Sequence, residues 1–212
     1  MATNSNYQQL ISKLDQFIRK FYLNRLIRGV LYSVGLILLL FVLINVLEYY
    51  FYFDTSTRKG LFYSFLGITA VALIGWVFIP LLKYFRLGKV ISHQQAAGII
   101  GEHFGDVKDK LLNVLQLKSQ ADATPNADLI MASINQKTED IKLVPFKSAI
   151  DLSKNRKYLR YALPPLLLLL FLLIAAPSMI TDSTNRIINN DTKFERPAPF
   201  HFVVEELSLI HI

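Results

Sequence analysis

The chain has no cysteine, only four histidines and one tryptophan, and no charge at all across three long stretches of its 212 residues. Without cysteine there is no disulfide, no thiolate metal site and no cysteine nucleophile. The histidines do not compensate. His93 and His103 stand ten residues apart, about 15 Å along a helix, too far for one metal ion to join them directly. His201 and His211 lie near the C-terminal end. The glycine-rich run Gly98–Gly105, GIIGEHFG, has neither phosphate-binding spacing and follows no strand, so a helix with small packing positions accounts for it. Glu102, Asp106 and Asp109 alternate with Lys108 and Lys110, as on a solvated helix face. No catalytic residue, metal ligand or cofactor site is therefore assigned, and the chain is not expected to be an enzyme.

The charge-free stretches carry the positive information. The first runs from Gly29 to Leu47; about 19 residues at 1.5 Å each give roughly 28 Å, enough to cross a hydrocarbon core. Glu48 and the tyrosines 49, 50 and 52 follow it, as in an aromatic interface belt. The second runs from Leu61 to Leu82 and the third from Tyr161 to Ile180. Pro164 and Pro165 fall in the first turn of the third, where a missing N–H costs least. Within the runs the polar residues are Ser33, Asn45, Ser64 and Thr69, with Ser178 near an end. None is ionisable, so neither a proton relay nor an ion path is indicated, while Asn45 is placed to bond across helices. The net charge of +7 is concentrated at the ends of these runs, which points to anionic lipid rather than nucleic acid.

The clusters at those ends set the orientation. Arg25 and Arg28 precede the first run. Lys83 and Arg86 follow the second, and Lys154, Arg156, Lys157 and Arg160 precede the third. These topology anchors put the N-terminus and residues 83–160 on the cytoplasmic face of a bacterial inner membrane, and the C-terminal tail in the periplasm. Arg58 and Lys59, in the short outer loop, run mildly against this orientation.

The fold class expected is an all-α membrane protein: an N-terminal amphipathic helix (1–28), a two-helix transmembrane hairpin (29–82), a small cytoplasmic helical domain (83–160) and a third transmembrane helix (161–180). The start of a truncated outer β-domain (181–206) and a non-native tail (207–212) complete it. Tyr7, Leu10, Ile11, Leu14, Phe17, Ile18 and Phe21 recur at helical spacing after a Ser5–Gln8 capping box. Their stripe has two readings, one lying in the lipid interface, the other packing on the helical domain. Three helices are expected in the middle segment. The first opens at a Ser92–Gln95 capping box and stops at Gly105, and the second covers Asp106–Lys118. After a linker at Ala121–Pro125, the third carries Ile130, Ile134, Thr138 and Ile141. In the tail, Phe200, Phe202 and Val204 alternate as in one strand, which is unstable alone. The last six residues, LSLIHI, resemble the translation of a sequencing adapter, so the native sequence is expected to end near Glu206.

Several segments resemble the N-terminal part of the large bacterial membrane proteins grouped as domain of unknown function 4175. They are HFGDVKDKLLNVLQL (103–117), INQKTEDIKLVPF (134–146), FERPAPFHF (194–202) and the charge-free runs, and the likeness extends over most of the chain from Tyr7 to about Val204. The resemblance implies a longer protein that continues into outer β-sandwich and coiled-coil-prone segments. It carries over no functional residues. The expected role is a non-enzymatic membrane anchor or scaffold with envelope partners or a second copy of itself; a transmembrane signalling or transport-accessory subunit is the alternative.

Overall fold

The computed structural model of the chain describes residues 3–123 and 128–196, whose regular elements are all helices, with no strand among the described residues. The expected strand over Phe200–Val204, the expected native end at Glu206 and the tail 207–212 lie outside the described residues, as do Thr124 and Pro125 of the expected linker.

Three helices are long and apolar enough to cross a membrane. The first, α1 (Thr3–Phe51), is 49 residues long and joins the expected amphipathic helix to the first charge-free run without a break. Nothing between Thr3 and Arg28 interrupts a helix, since the stretch has neither proline nor glycine. Ser5 therefore lies inside α1 and does not cap it. The second rod comprises α2 (Thr55–Leu73), a π-turn (Ile74–Phe78) and α3 (Ile79–Tyr84). The third is α7 (Leu159–Ala175), entered through a 3₁₀ segment, Leu152–Tyr158. In their most apolar windows only 22%, 11% and 11% of residues are buried. Side chains such as Val71 (72% exposed) and Ile174 (84%) would face water unless lipid surrounds them. Soluble monomers rarely expose contiguous apolar surface on this scale.

The chain divides into two compact units. One comprises the chain up to Leu39 with Gly67–Leu167, the other Leu40–Leu66 with the chain from Leu168 onward. The core of the first unit is a helical bundle. α4 (His93–His103) packs on α5 (Val107–Ala123), and α5 on α6 (Asp128–Ile141). The Ser92–Gln95 capping box closes in both directions: Gln95 N–H donates to Ser92 Oγ, and Ser92 N–H to Gln95 Oε1. Leu10, Leu14, Phe17, Ile18 and Tyr22 of α1 are buried in the same core as Ile100, Leu111, Val114 and Ile134. The stripe thus packs on protein, and the reading that lays it in the lipid interface is overturned. Helix edges differ from expectation in two places. α5 runs on to Ala123, through three of the five residues of the expected linker, and α4 ends at His103 with no left-handed glycine after it, because Gly105 keeps an ordinary φ.

Two prolines explain two close helix contacts in this unit. Pro80 has no N–H to offer the Trp76 carbonyl four residues back, and Pro165 none for Tyr161. A Cβ on Gly29 of α1 would fall 1.8 Å from Trp76 O, and one on Gly35 would fall 2.6 Å from Tyr161 O. Both freed carbonyls therefore sit against a glycine of α1, where only a Cα hydrogen fits. Pro164 and Pro165 lie inside α7, not in its first turn, because the helix begins at Leu159.

In the second unit the third rod stops at Ala175, five residues before the expected Ile180. Ala176 breaks the helix, and Pro177 at the first position starts α8 (Pro177–Ile188). The polar stretch expected to lead into a strand is thus a helix as far as Ile188.

Candidate functional site

The densest polar site in the second unit gathers three charges from three helices. Glu48 ends the first charge-free run, Arg58 opens α2, and Arg186 sits in the last turn of α8. The Glu48 side chain is fully buried, Arg58 is 2% exposed and Arg186 9%. Glu48 Oε1 lies 3.1 Å from Arg58 Nε and 3.2 Å from Arg186 Nε. These are charge contacts, since none of the three atoms lies on a hydrogen-bonding line. The other oxygen, Oε2, accepts from Phe53 N–H at 3.3 Å.

Local geometry explains how the three meet. Tyr52 takes a left-handed conformation (φ 47°), uncommon for a non-glycine residue, and turns the chain from α1 toward α2. Asp54 then caps α2, its carboxylate accepting from Ser56 N–H and Thr57 Oγ1. The Thr57 hydroxyl holds that carboxyl below its ordinary value, and the Ser56 and Thr57 N–H groups add to this. The turn sets Tyr52's ring 4.2 Å from the Arg186 guanidinium carbon.

The segment after α8 is fastened to the same turn. Arg58 Nη1 donates to Thr192 O at 3.0 Å and its guanidinium lies 5.1 Å from the Phe194 ring. Arg196 Nη2 donates to Phe51 O at 2.6 Å, and Lys59 pairs with Asp191. Beside it, Thr184 Oγ1 donates to Asn45 Oδ1 at 2.8 Å, the cross-helix bond expected of Asn45. An apolar groove of about 220 Å³, lined chiefly by Phe41, Phe62, Phe65 and Ile187, adjoins that pair.

The arrangement is one of anchoring. It sets one buried carboxylate against two guanidiniums. Among the described residues no group of three His, Asp or Glu side chains is placed to hold a metal ion.

The residues expected as topology anchors lie in the first unit and do not converge on one site. Arg28 Nε donates to Asn155 Oδ1 at 3.2 Å and its guanidinium sits 5.5 Å from the Tyr158 ring. Lys157 lies over Tyr158 and Arg160 over Tyr161, at 5.2 and 4.9 Å. Tyr32 contacts Trp76, Tyr158 and Tyr161, which binds all three rods at this level. Arg86, itself left-handed at φ 62°, pairs with Asp15 at 2.5 Å, and His93 Nε2 meets the same carboxylate oxygen at 2.8 Å. Burial alone would raise the Asp15 carboxyl; the hydrogen bonds and charges of Arg86 and His93 outweigh it and hold it below its ordinary value. Arg25, Lys154 and Arg156 are exposed, and Lys83 is half-buried.

Sequence reasoning placed Glu48 in an interface belt and Arg58 in an exposed loop, and gave Arg186 no role. A signal existed for the first pair, because a ten-residue step across a tight hairpin brings Glu48 opposite Arg58. No protein-family model, curated protein or solved structure matches the chain, so likeness assigns it to no family.

Proposed function

We propose that the chain is a non-enzymatic anchor in a bacterial inner membrane. It holds a cytoplasmic helical bundle, residues 83–160 packed on the N-terminal part of α1, and fixes the start of a periplasmic region that binds other envelope proteins. One observation carries the reading: a single uninterrupted helix provides both the bundle's buried stripe and the first charge-free run. A second supports it, because the chain after α8 is tied to a buried charge cluster and so leaves from a fixed point. The proposed orientation is supported by the cations at the Arg28 end of the rods. The two that opposed it are both engaged within the fold, Arg58 buried against Glu48 and Lys59 paired with Asp191. The resemblance to the family of domain of unknown function 4175 fits a longer protein of this kind.

Fractionation and cysteine labelling test the reading. The expressed chain should require detergent for extraction. Single cysteines placed at Asp109 and Lys193 should react from opposite sides of sealed vesicles. Pull-down of the chain from membranes should retrieve stable envelope partners. Recovery of a folded, monodisperse chain from detergent-free supernatant would defeat the proposal.

A further inference from the structure

Where α1 passes the 3₁₀ segment that leads into α7, a groove of about 440 Å³ opens within the first unit. Its walls are apolar: Ile27 and Leu31, four residues apart on α1, with Leu152 and Leu159 beyond. Its rim is polar, but most of the rim is already engaged. Asn155 Nδ2 donates to Asn24 Oδ1 at 2.7 Å, and its Oδ1 accepts from Arg28. Ser153 Oγ donates to Asp151 Oδ1 at 2.5 Å, which with the Ser153 N–H holds the Asp151 carboxyl below its ordinary value. That leaves Arg156, exposed, with no hydrogen-bond or ion-pair partner for its side chain among the described residues. Lys154 and Lys20 lie close enough to the Asp151 carboxylate to offset its charge.

The level of the groove matters as much as its lining. Ile27 and Leu31 straddle the point where the first charge-free run begins, and Leu159 stands two residues before the third. A guanidinium therefore sits above hydrocarbon walls at the edge of the apolar zone. We propose that this groove binds an anionic glycerophospholipid, one acyl chain lying along Ile27, Leu31 and Leu159 and the phosphate on Arg156. The guanidinium fork matches phosphate oxygens in pairs, and the surrounding lysines favour a net negative headgroup over a zwitterionic one. The assignment rests on the membrane reading above.

The test uses the full chain reconstituted in phosphatidylcholine bilayers. These contain a small share of phosphatidylglycerol carrying a photoreactive acyl chain, or the phosphatidylcholine analogue in its place. Crosslinks from phosphatidylglycerol should map to Ile27–Leu31 or to Leu159 and exceed those from phosphatidylcholine. Arg156→Gln should cut the phosphatidylglycerol signal about fivefold, the worth of one cation at the surface, and the phosphatidylcholine signal by less. Leu31→Trp, which fills the groove, should cut both. Thermal unfolding in detergent should be the same for Arg156→Gln and the native chain, because Arg156 holds nothing in the fold. Equal crosslinking of the two lipids, an unchanged Arg156→Gln, or an equal loss in Lys157→Gln would overturn the groove assignment. Displacement by millimolar inorganic phosphate would likewise overturn it in favour of a soluble anion. A chain that never enters the bilayer fails the membrane reading itself, which separates the two failures.

Discussion

Glu48 and Arg58 face each other across the α1–α2 turn, Oε1 to Nε at 3.1 Å, with neither side chain more than 2% exposed. The pair is held among helices with no water to replace a lost partner, and Arg186 makes the cluster one charge in excess. Removing one member of such a group strands the others. Glu48→Gln should therefore destabilise the chain by about 3–5 kcal/mol, more than Arg58→Gln, because it leaves two buried guanidiniums unopposed. The triple change Glu48→Leu, Arg58→Met, Arg186→Met should recover most of the loss. Thermal unfolding in detergent measures all three, and a mild effect for Glu48→Gln would mean that solvent reaches the cluster.

The glycines of α1 and of the second rod should separate cleanly on alanine substitution. Gly29→Ala drives a methyl into the Trp76 carbonyl and should cost about 1–3 kcal/mol as overpacking. Gly35→Ala should follow in the same direction. Gly67 and Gly75 meet nothing within 4 Å, so alanine there should be neutral or stabilising by about 0.5–1 kcal/mol through helix propensity. Unfolding curves for the four variants side by side decide the matter.

The buried stripe of α1 should behave as a core. Leu14, fully buried, should lose about 2–5 kcal/mol on truncation to alanine. Leu39 is 53% exposed on the same helix, and Leu39→Ala should cost far less in a detergent micelle, since lipid tails replace its contacts. Comparable losses at both sites would show that the charge-free run is itself packed in a protein interior.

Acid should find the Asp15 junction. A carboxyl whose value is lowered in the folded state contributes stability that is complete above its unfolded value, about 3.9. That contribution fades as pH falls through the folded value. The native chain should thus exceed Asp15→Asn in stability at pH about 5, and the two should converge in stronger acid. Unfolding followed from pH about 5 downward checks the sign; a margin that widened over that range would contradict it.

How much of this was legible beforehand depended on locality. The charge-free runs announce themselves because composition alone defines them, and Ser92–Gln95 because a capping box spans only four residues. The unbroken course of α1 was hidden. Asn24, Arg25 and Arg28 look like a boundary, yet polarity does not break a helix when no proline or glycine stands there. α8 was hidden by its polar composition, although Pro177 at a first helical position is a start signal as much as a stop. Arg186 could not be assigned to Glu48 from sequence at all. The two lie far apart along the chain, and only the fold brings them within 3.2 Å.

An α1 with no joint between Leu10 and Leu39 is a rigid lever. A bilayer thicker or thinner than the first run prefers changes the tilt of that helix, and no hinge absorbs the change before it reaches Leu14 and Phe17. In the membrane setting proposed above, the bundle gripping those residues would lean with the lipid, and the thickness of the bilayer would become a mechanical input to it.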